Sequence, residues 1–168
     1  NILSVIALTY ALGVNVKDIY RAIAKFHGVA HRLERIRTLN GVTYYNDSKA
    51  TNTDSTIKAL ESFTAPLVLI AGGKDKMTDL EEMMELVKTN VKELILIGEA
   101  AQRFAEAAVK VGVPHIHRCK SMEDAVSLSA RIAEDGDVVL LSPACASFDC
   151  YARFEDRGDH FRRLVERL

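Results

Sequence analysis

The sequence predicts an α/β fold: a Rossmann-like, mostly parallel, doubly wound sheet with an N-terminal antiparallel hairpin, preceded by a short helical segment. Three observations lead there. Apolar runs such as PLVLIAGG (66–73), ELILIGE (93–99) and DVVLLSPA (137–144) lack in-out alternation, as strands covered on both faces do. Between them lie stretches of helical period, and strand-helix alternation implies a sheet wrapped on both sides. Ahead of them, ERIRTL (34–39) and VTYYND (42–47) flank Asn40-Gly41, a pair tolerant of positive φ and thus a strong hairpin signal.

In chain order, NILSVIALTYAL (1–12) is apolar on nearly every face, which suits a helix buried from its first turn. Gly13 closes it, Asn15 can cap the next, and Ile19, Ala22, Ile23 and Phe26 mark one face of a second helix. Two short helices bury little surface, and the chain opens on Asn1 without an initiator methionine. Residues 1–31 are therefore expected to be the tail of another domain, and residues 32–168 the α/β domain proper. Within that domain Leu80, Met83, Met84 and Val87 step at helical spacing, as do AAQRFAEAAVKVG (100–112) and SMEDAVSLSARIAED (121–135), while HIHR (115–118) reads as a short strand. The methionines are core filler.

Bulk properties narrow the function classes. With 22 Lys and Arg against 23 Asp and Glu in 168 residues, the chain has no field to draw in nucleic acid or an anionic membrane. No apolar run reaches the roughly 18 residues needed to cross a bilayer, and there is no secretory n-region. Cys119, Cys145 and Cys150 make neither a disulfide framework nor a C-x-x-C pair. The expectation is a cytoplasmic chain with reduced thiols, no metal site and no nucleic-acid or membrane partner.

In a doubly wound domain ligands lie beyond the carboxyl ends of the strands, and three such ends are loaded. The first, YYNDSKATN, crowds Asp47, Lys49 and Thr51 into a link that needs only a turn and a cap. A carboxylate accepts from ribose hydroxyls, a lysine neutralises an anion and a threonine donates to one. The second, IAGGKDK, turns sharply at Gly72-Gly73 and offers Lys74 and Lys76. The third, LSPACASFD, leaves room through small residues and places Ser147 to begin the final helix, where free amides favour a carboxylate. Together they suit a small dianion. No G-x-x-x-x-G-K-[ST] and no G-x-G-x-x-G occurs, so the chain carries no phosphate cradle of its own.

FHGVAHRLE, NDSKATN, GGKDK and LSPACASFDCYARFEDRGDHF, in this order, resemble the Mur ligase family of peptidoglycan synthesis, and within it the branch that adds D-glutamate. The resemblance spans essentially the whole chain. It implies that residues 1–31 end a central ATPase domain and that residues 32–168 form the C-terminal amino-acid-binding domain. Carried over by position, Arg32 and Asp47 would contact the nucleotide, Asp47 at the ribose. Thr51 and Lys76 would lie near one carboxylate of D-glutamate, Ser147 and Phe154 near the other, with Phe148 and Lys49 on the same wall. Lys74 competes with Lys76 for the lysine role, and Lys76 is favoured.

The implied reaction joins D-glutamate to UDP-N-acetylmuramoyl-L-alanine through an acyl phosphate, using ATP and Mg2+ bound mainly outside this chain. No catalytic residue is assigned here, the chain alone is expected to be inactive, and a monomer is expected. The alternatives are a stand-alone Rossmann-like module for an acidic metabolite and another amino-acid-adding Mur ligase. Other motifs carry less: His115, His117 and Cys119 on one strand face suggest zinc but lie away from the ligand edge, nothing joins Cys145 to His160, and Arg157–Asp159 spells RGD inside an amphipathic helix.

Overall fold

The computed structural model describes residues 2–26 and 28–168. In order these form α1 (Ile2–Ala11), α2 (Val16–Ala24), β1 (Glu34–Leu39), β2 (Val42–Asn46), α3 (Thr53–Leu60), β3 (Leu67–Gly72), α4 (Glu81–Asn90), β4 (Val91–Ile97), α5 (Ala101–Val111), β5 (Ile116–Arg118), α6 (Met122–Ile132), β6 (Val138–Leu141) and α7 (Phe154–Glu166). The strands make a six-stranded sheet in the order β1-β2-β6-β3-β4-β5. Only β1 and β2 pair antiparallel, Leu39 opposite Val42, across a turn in which Asn40 (φ 50°) and Gly41 (φ 79°) both adopt the positive φ that a two-residue hairpin requires. The expected fold is the observed one.

Period two divides each central strand between two cores. Leu67, Leu69 and Ala71 of β3 pack with Leu94, Leu96 and the buried residues of α3, α4 and α5. Val68 and Ile70 pack on the other face with Ile95, Val139, Tyr44 and the buried residues of α6 and α7. Every residue of β3 and β6 is buried, which is why neither run alternates.

The chain steps outward from β3 to β5 and then returns through α6 to insert β6 between β2 and β3. Consequently the loops after β2 and β3 lead to helices on one face, whereas the loop after β6 leads to α7 on the other. Their divergence opens a crevice at the carboxyl ends of β2, β6 and β3, a topological switch point.

One expectation fails, and one element stands uncovered. Helix α1, expected as part of the tail of another domain, has no buried residue, and Leu3 and Leu8 are 79% and 62% exposed. It packs on α2, which itself buries only Ile19, so the pair lacks a third layer among the described residues. Ser147 does not begin the final helix, since α7 starts at Phe154 after Arg153. Residues 147–151 make a single turn, closed by the Cys150 and Tyr151 amides on the Ser147 carbonyl. The turn is not continued, and the Asp149 carboxylate within it accepts from the Glu99 amide, 3.2 Å.

At Gly72 (φ 110°) a Cβ would come 2.1 Å from the Ile97 carbonyl, while at Gly136 (φ 91°) it would meet nothing within 4 Å. G136A should therefore cost only the left-handed strain of about 1 kcal/mol, and G72A at least about 2 kcal/mol. Urea midpoints of the two variants, compared with the parent, test this.

Candidate functional site

The first strand-end loop is built on the β2–β6 pairing. Asn46 stands opposite Leu141, and the next amide, Asp47, donates to the Leu141 carbonyl at 2.8 Å. This turns the Asp47 carboxyl inward, where Oδ1 accepts from the Leu33 amide (3.2 Å) and Oδ2 from the Ser142 hydroxyl (2.9 Å). Burial pushes its pKa up to about 6, against the opposing pull of the Ser142 and Leu33 hydrogen bonds and the Arg32 charge. Asn52 caps α3, its Oδ1 accepting from the Ser55 amide at 2.8 Å. Arg32, Asp47, Lys49, Thr51, Asp54 and Lys58 line a cleft of about 440 Å³ beside this loop.

The second loop separates its two lysines. Lys74 is neutralised by Glu99, 2.7 Å away. Asp75 is gripped through both oxygens by the Arg103 guanidinium, each contact 2.7 Å, and this fork holds its carboxyl below the usual range. Arg103 also donates to the Thr78 carbonyl, 3.0 Å, so both ends of the loop are tied to α5. Lys76, set between them, reaches across to the first loop and donates to the Thr51 carbonyl at 2.8 Å.

The third loop brings Ser147, 2% exposed. Its Oγ is the one buried side-chain polar atom among the described residues with no hydrogen-bond partner. Phe154 opens α7, and the Lys49 ammonium lies 5.2 Å from its ring centroid, joining the first loop to the third. Phe148 is 71% exposed.

Arg32, Asp47, Lys49 and Thr51 thus share the cleft wall, Lys76 joins through Thr51, and Phe154 joins through Lys49. Ser147 and Phe148 stand apart from the lining of that cleft, on the β6–α7 loop. Sequence reasoning overlooked Ser142, which orients Asp47, and the pair Ser48 and Arg157, which link loops one and three. Arg157 had a signal: it falls on the stripe of Phe161 and Val165, the buried face of α7, where a charge is out of place.

The competing motifs dissolve. His117 bonds Glu93 at 2.7 Å, and no three metal-ligating side chains gather among the described residues. Burial pushes the Cys145 thiol up to about 12, while His160 is occupied by the Tyr151 hydroxyl (2.8 Å) and Glu123 (3.1 Å). Arg157 of the RGD tripeptide is 1% exposed. No described helix is long and apolar enough to cross a membrane.

Fold and strand ends together define a doubly wound α/β domain whose polar groups converge at a switch-point crevice. Residues 31–145 match the family model described as Mur ligase, glutamate ligase domain, and the chain belongs to the Mur ligase family. Among curated proteins it is 46% identical over 168 residues to the UDP-N-acetylmuramoylalanine--D-glutamate ligase of Clostridioides difficile, and 44% identical to that of Alkaliphilus metalliredigens. Both matches cover 100% of this chain and 37% of the relative, so the chain spans little more than a third of those proteins. Among solved structures it is similar to the UDP-N-acetylmuramate-alanine ligase MurC of Thermotoga maritima, with TM-score 0.70 and 16% identity, over 99% of this chain and 36% of that one. It is also similar to the MurF ligase of the same organism in complex with ADP, with TM-score 0.60 and 19% identity, over 97% and 37%. At such identities the likeness concerns the fold.

Because the folded Asp47 holds its proton more tightly than an ordinary aspartate, its contribution to stability should fall as pH rises from about 4 to about 6 and then level off. Chemical denaturation across this range should show that slope in the parent chain and lose it in D47N, whatever the absolute stability of the variant.

Proposed function

We propose that this chain is the amino-acid-presenting part of an ATP-dependent ligase that joins D-glutamate to UDP-N-acetylmuramoyl-L-alanine in peptidoglycan synthesis. The observation that carries the reading is the Lys76–Thr51 contact of 2.8 Å. It brings a cation and a hydroxyl-bearing residue from different loops to one place, while Lys74 is taken by Glu99. The relatives at 44–46% identity bear the name of this activity.

In this reading Lys76 and Thr51 hold one carboxylate of D-glutamate. Ser147, whose Oγ lacks a partner, and Phe154 receive the other, with Lys49 and Phe148 completing the wall. Such a grip orients the amine and keeps water from it. Bound ATP would supply the phosphoryl group that activates the acceptor's carboxylate. The residues here that fit a nucleotide are Arg32 and Asp47, which share one cleft and offer a cation and a carboxylate for ribose hydroxyls. No set of described side chains fits a metal, so magnesium is assigned to none of them.

Residues 1–31 are read as the end of the preceding ATPase domain. Supporting this are the uncovered apolar surface of α1 and the 37% coverage of the relatives. The left-handed backbone at His31 (φ 63°) and Leu33 (φ 43°) marks a specialised junction there. The cytoplasm is the compartment that supplies ATP and the precursor.

Titrating the chain with D-glutamate, L-alanine and diaminopimelate under NMR observation tests the assignment. D-glutamate should shift Thr51, Lys76 and Ser147, K76A should weaken it about tenfold or more, and K74A should change it less than about threefold. A preference for diaminopimelate or L-alanine would point to another ligase of the family, and equal losses in the two lysine variants would sink the Lys76 assignment. With ATP, UDP-N-acetylmuramoyl-L-alanine and D-glutamate together, the chain alone should release no phosphate.

A further inference from the structure

Arg157 is 1% exposed and heads the large fully buried side chains, yet no carboxylate among the described residues pairs with it. Its guanidinium instead donates to three oxygens: Nε to the Ser48 hydroxyl (3.0 Å), Nη2 to the Ser48 carbonyl (2.9 Å) and Nη1 to the Ala146 carbonyl (3.2 Å). Burial lowers its pKa to about 10, which leaves it cationic at neutral pH.

The oxygens it holds are not scattered. Ser48 precedes Lys49 in the first loop, and its hydroxyl in turn donates to the Phe154 carbonyl at 2.7 Å. Ala146 precedes Ser147 in the third loop, and its carbonyl also accepts from the Lys74 amide of the second, 2.9 Å. The second loop can come this close because residue 73 is glycine: a Cβ there would stand 2.5 Å from the Ala146 carbonyl and 3.0 Å from Nη1. One buried side chain therefore meets, directly or through one shared oxygen, all three loops that carry the candidate site.

Packing alone does not account for an arginine. An apolar side chain of similar volume would fill the space without taking a charge out of water, whereas only a planar fork with several donors can hold oxygens on two loops at once. The carboxylate that acts on its charge is Asp149 of the third loop, which makes no direct ion pair with it.

We propose that Arg157 is the positioning residue of the amino-acid pocket. It locks the β2–α3 and β6–α7 loops, and through Ala146 the β3–α4 loop, in the relative placement that turns Lys49, Thr51, Lys76 and Ser147 toward one ligand. The identity of that ligand rests on the D-glutamate reading above, while the coupling of the loops does not.

The test compares R157K, which keeps the charge but loses the fork, R157M, which loses both, and S48A, which removes only the hydroxyl anchor, all in the 168-residue chain. Amide hydrogen exchange should quicken about tenfold at Ala50, Lys74 and Tyr151 together in R157K, and by less in S48A, with the β3 amides unchanged, as expected for losing one or two charge-assisted bonds. D-glutamate affinity should fall about tenfold in R157K and further in R157M. Exchange that stays unchanged, that quickens in one loop only or that rises equally through β3 would overturn the proposal, as would parental affinity in both Arg157 variants. Should R157M not fold, R157K and S48A still decide through exchange. If the parent chain does not bind D-glutamate at all, the ligand reading fails and the exchange comparison alone judges Arg157.

Discussion

A parallel strand buried on both faces leaves no place for polar chemistry along its length, and the rest of this molecule follows from that constraint. All six residues of β3 and all four of β6 are buried, and they divide between two apolar layers. Polar side chains can enter only where such strands stop, and they do so at once: Ser142, the residue after β6, bonds Asp47, the residue after β2. Return of the chain into the middle of the sheet then sends neighbouring loops to opposite faces and separates them. A crevice so formed has little apolar material to hold its walls together. Directional bonds take over that task, through Ser142 to Asp47, Arg103 to Asp75 and Arg157 to Ser48 and Ala146.

These bonds sort the polar residues into those already satisfied and those left with capacity. Lys74 is paired with Glu99 and Asp75 with Arg103, while each oxygen of Asp47 takes a single donor. By contrast Lys49 faces a ring rather than an anion, and Ser147 Oγ has no partner at all. A buried hydroxyl without a partner costs about 1–3 kcal/mol, a cost that a ligand oxygen placed there removes. Residues that hold the loops and residues free to bind thus alternate along the same few positions, Ser48 beside Lys49 and Ala146 beside Ser147. Lys49 and Ser147 are thereby fixed from their immediate neighbours without giving up their own donors.

What the sequence disclosed follows the same division. Strand runs, the Asn40-Gly41 hairpin and helix faces were legible because burial is periodic and period is a local property. What covers α1 was not, since a helix apolar on nearly every face records that something covers it without recording what. Ser147 reads as a helix start because a small residue at a strand end is a local cap signal, whereas α7 begins only at Phe154 and the intervening turn is tied through Asp149 to Glu99, fifty positions away in sequence. The three loops announced themselves by composition; Lys49 and Thr51 line one cleft, and Lys76 meets the Thr51 carbonyl. Their fastener lay concealed in RGD, where an exposed tripeptide is the familiar reading, although the spacing of Arg157, Phe161 and Val165 already set that arginine on a buried stripe.

The junction ahead of β1 shows which side of the molecule owns Arg32. Its neighbours on both sides adopt left-handed backbone, a cost that persists only where surrounding bonds fix it. Here they do: the His31 carbonyl accepts from the Lys49 amide at 3.0 Å, its ring accepts from the Asn46 side chain at 3.0 Å, and the Leu33 amide donates to Asp47. Glu34, although burial would raise its pKa, is held below the ordinary range by the His31 amide and Arg162, and so ties the same segment to α7. Residues 32–34 are therefore bonded into the α/β domain, and so is His31, the last residue of the segment read above as the end of the preceding domain. The same bonds set Arg32 beside Asp47, Lys49 and Thr51 on one cleft wall, so the placement of Arg32 is decided by the α/β domain and not by α1 and α2.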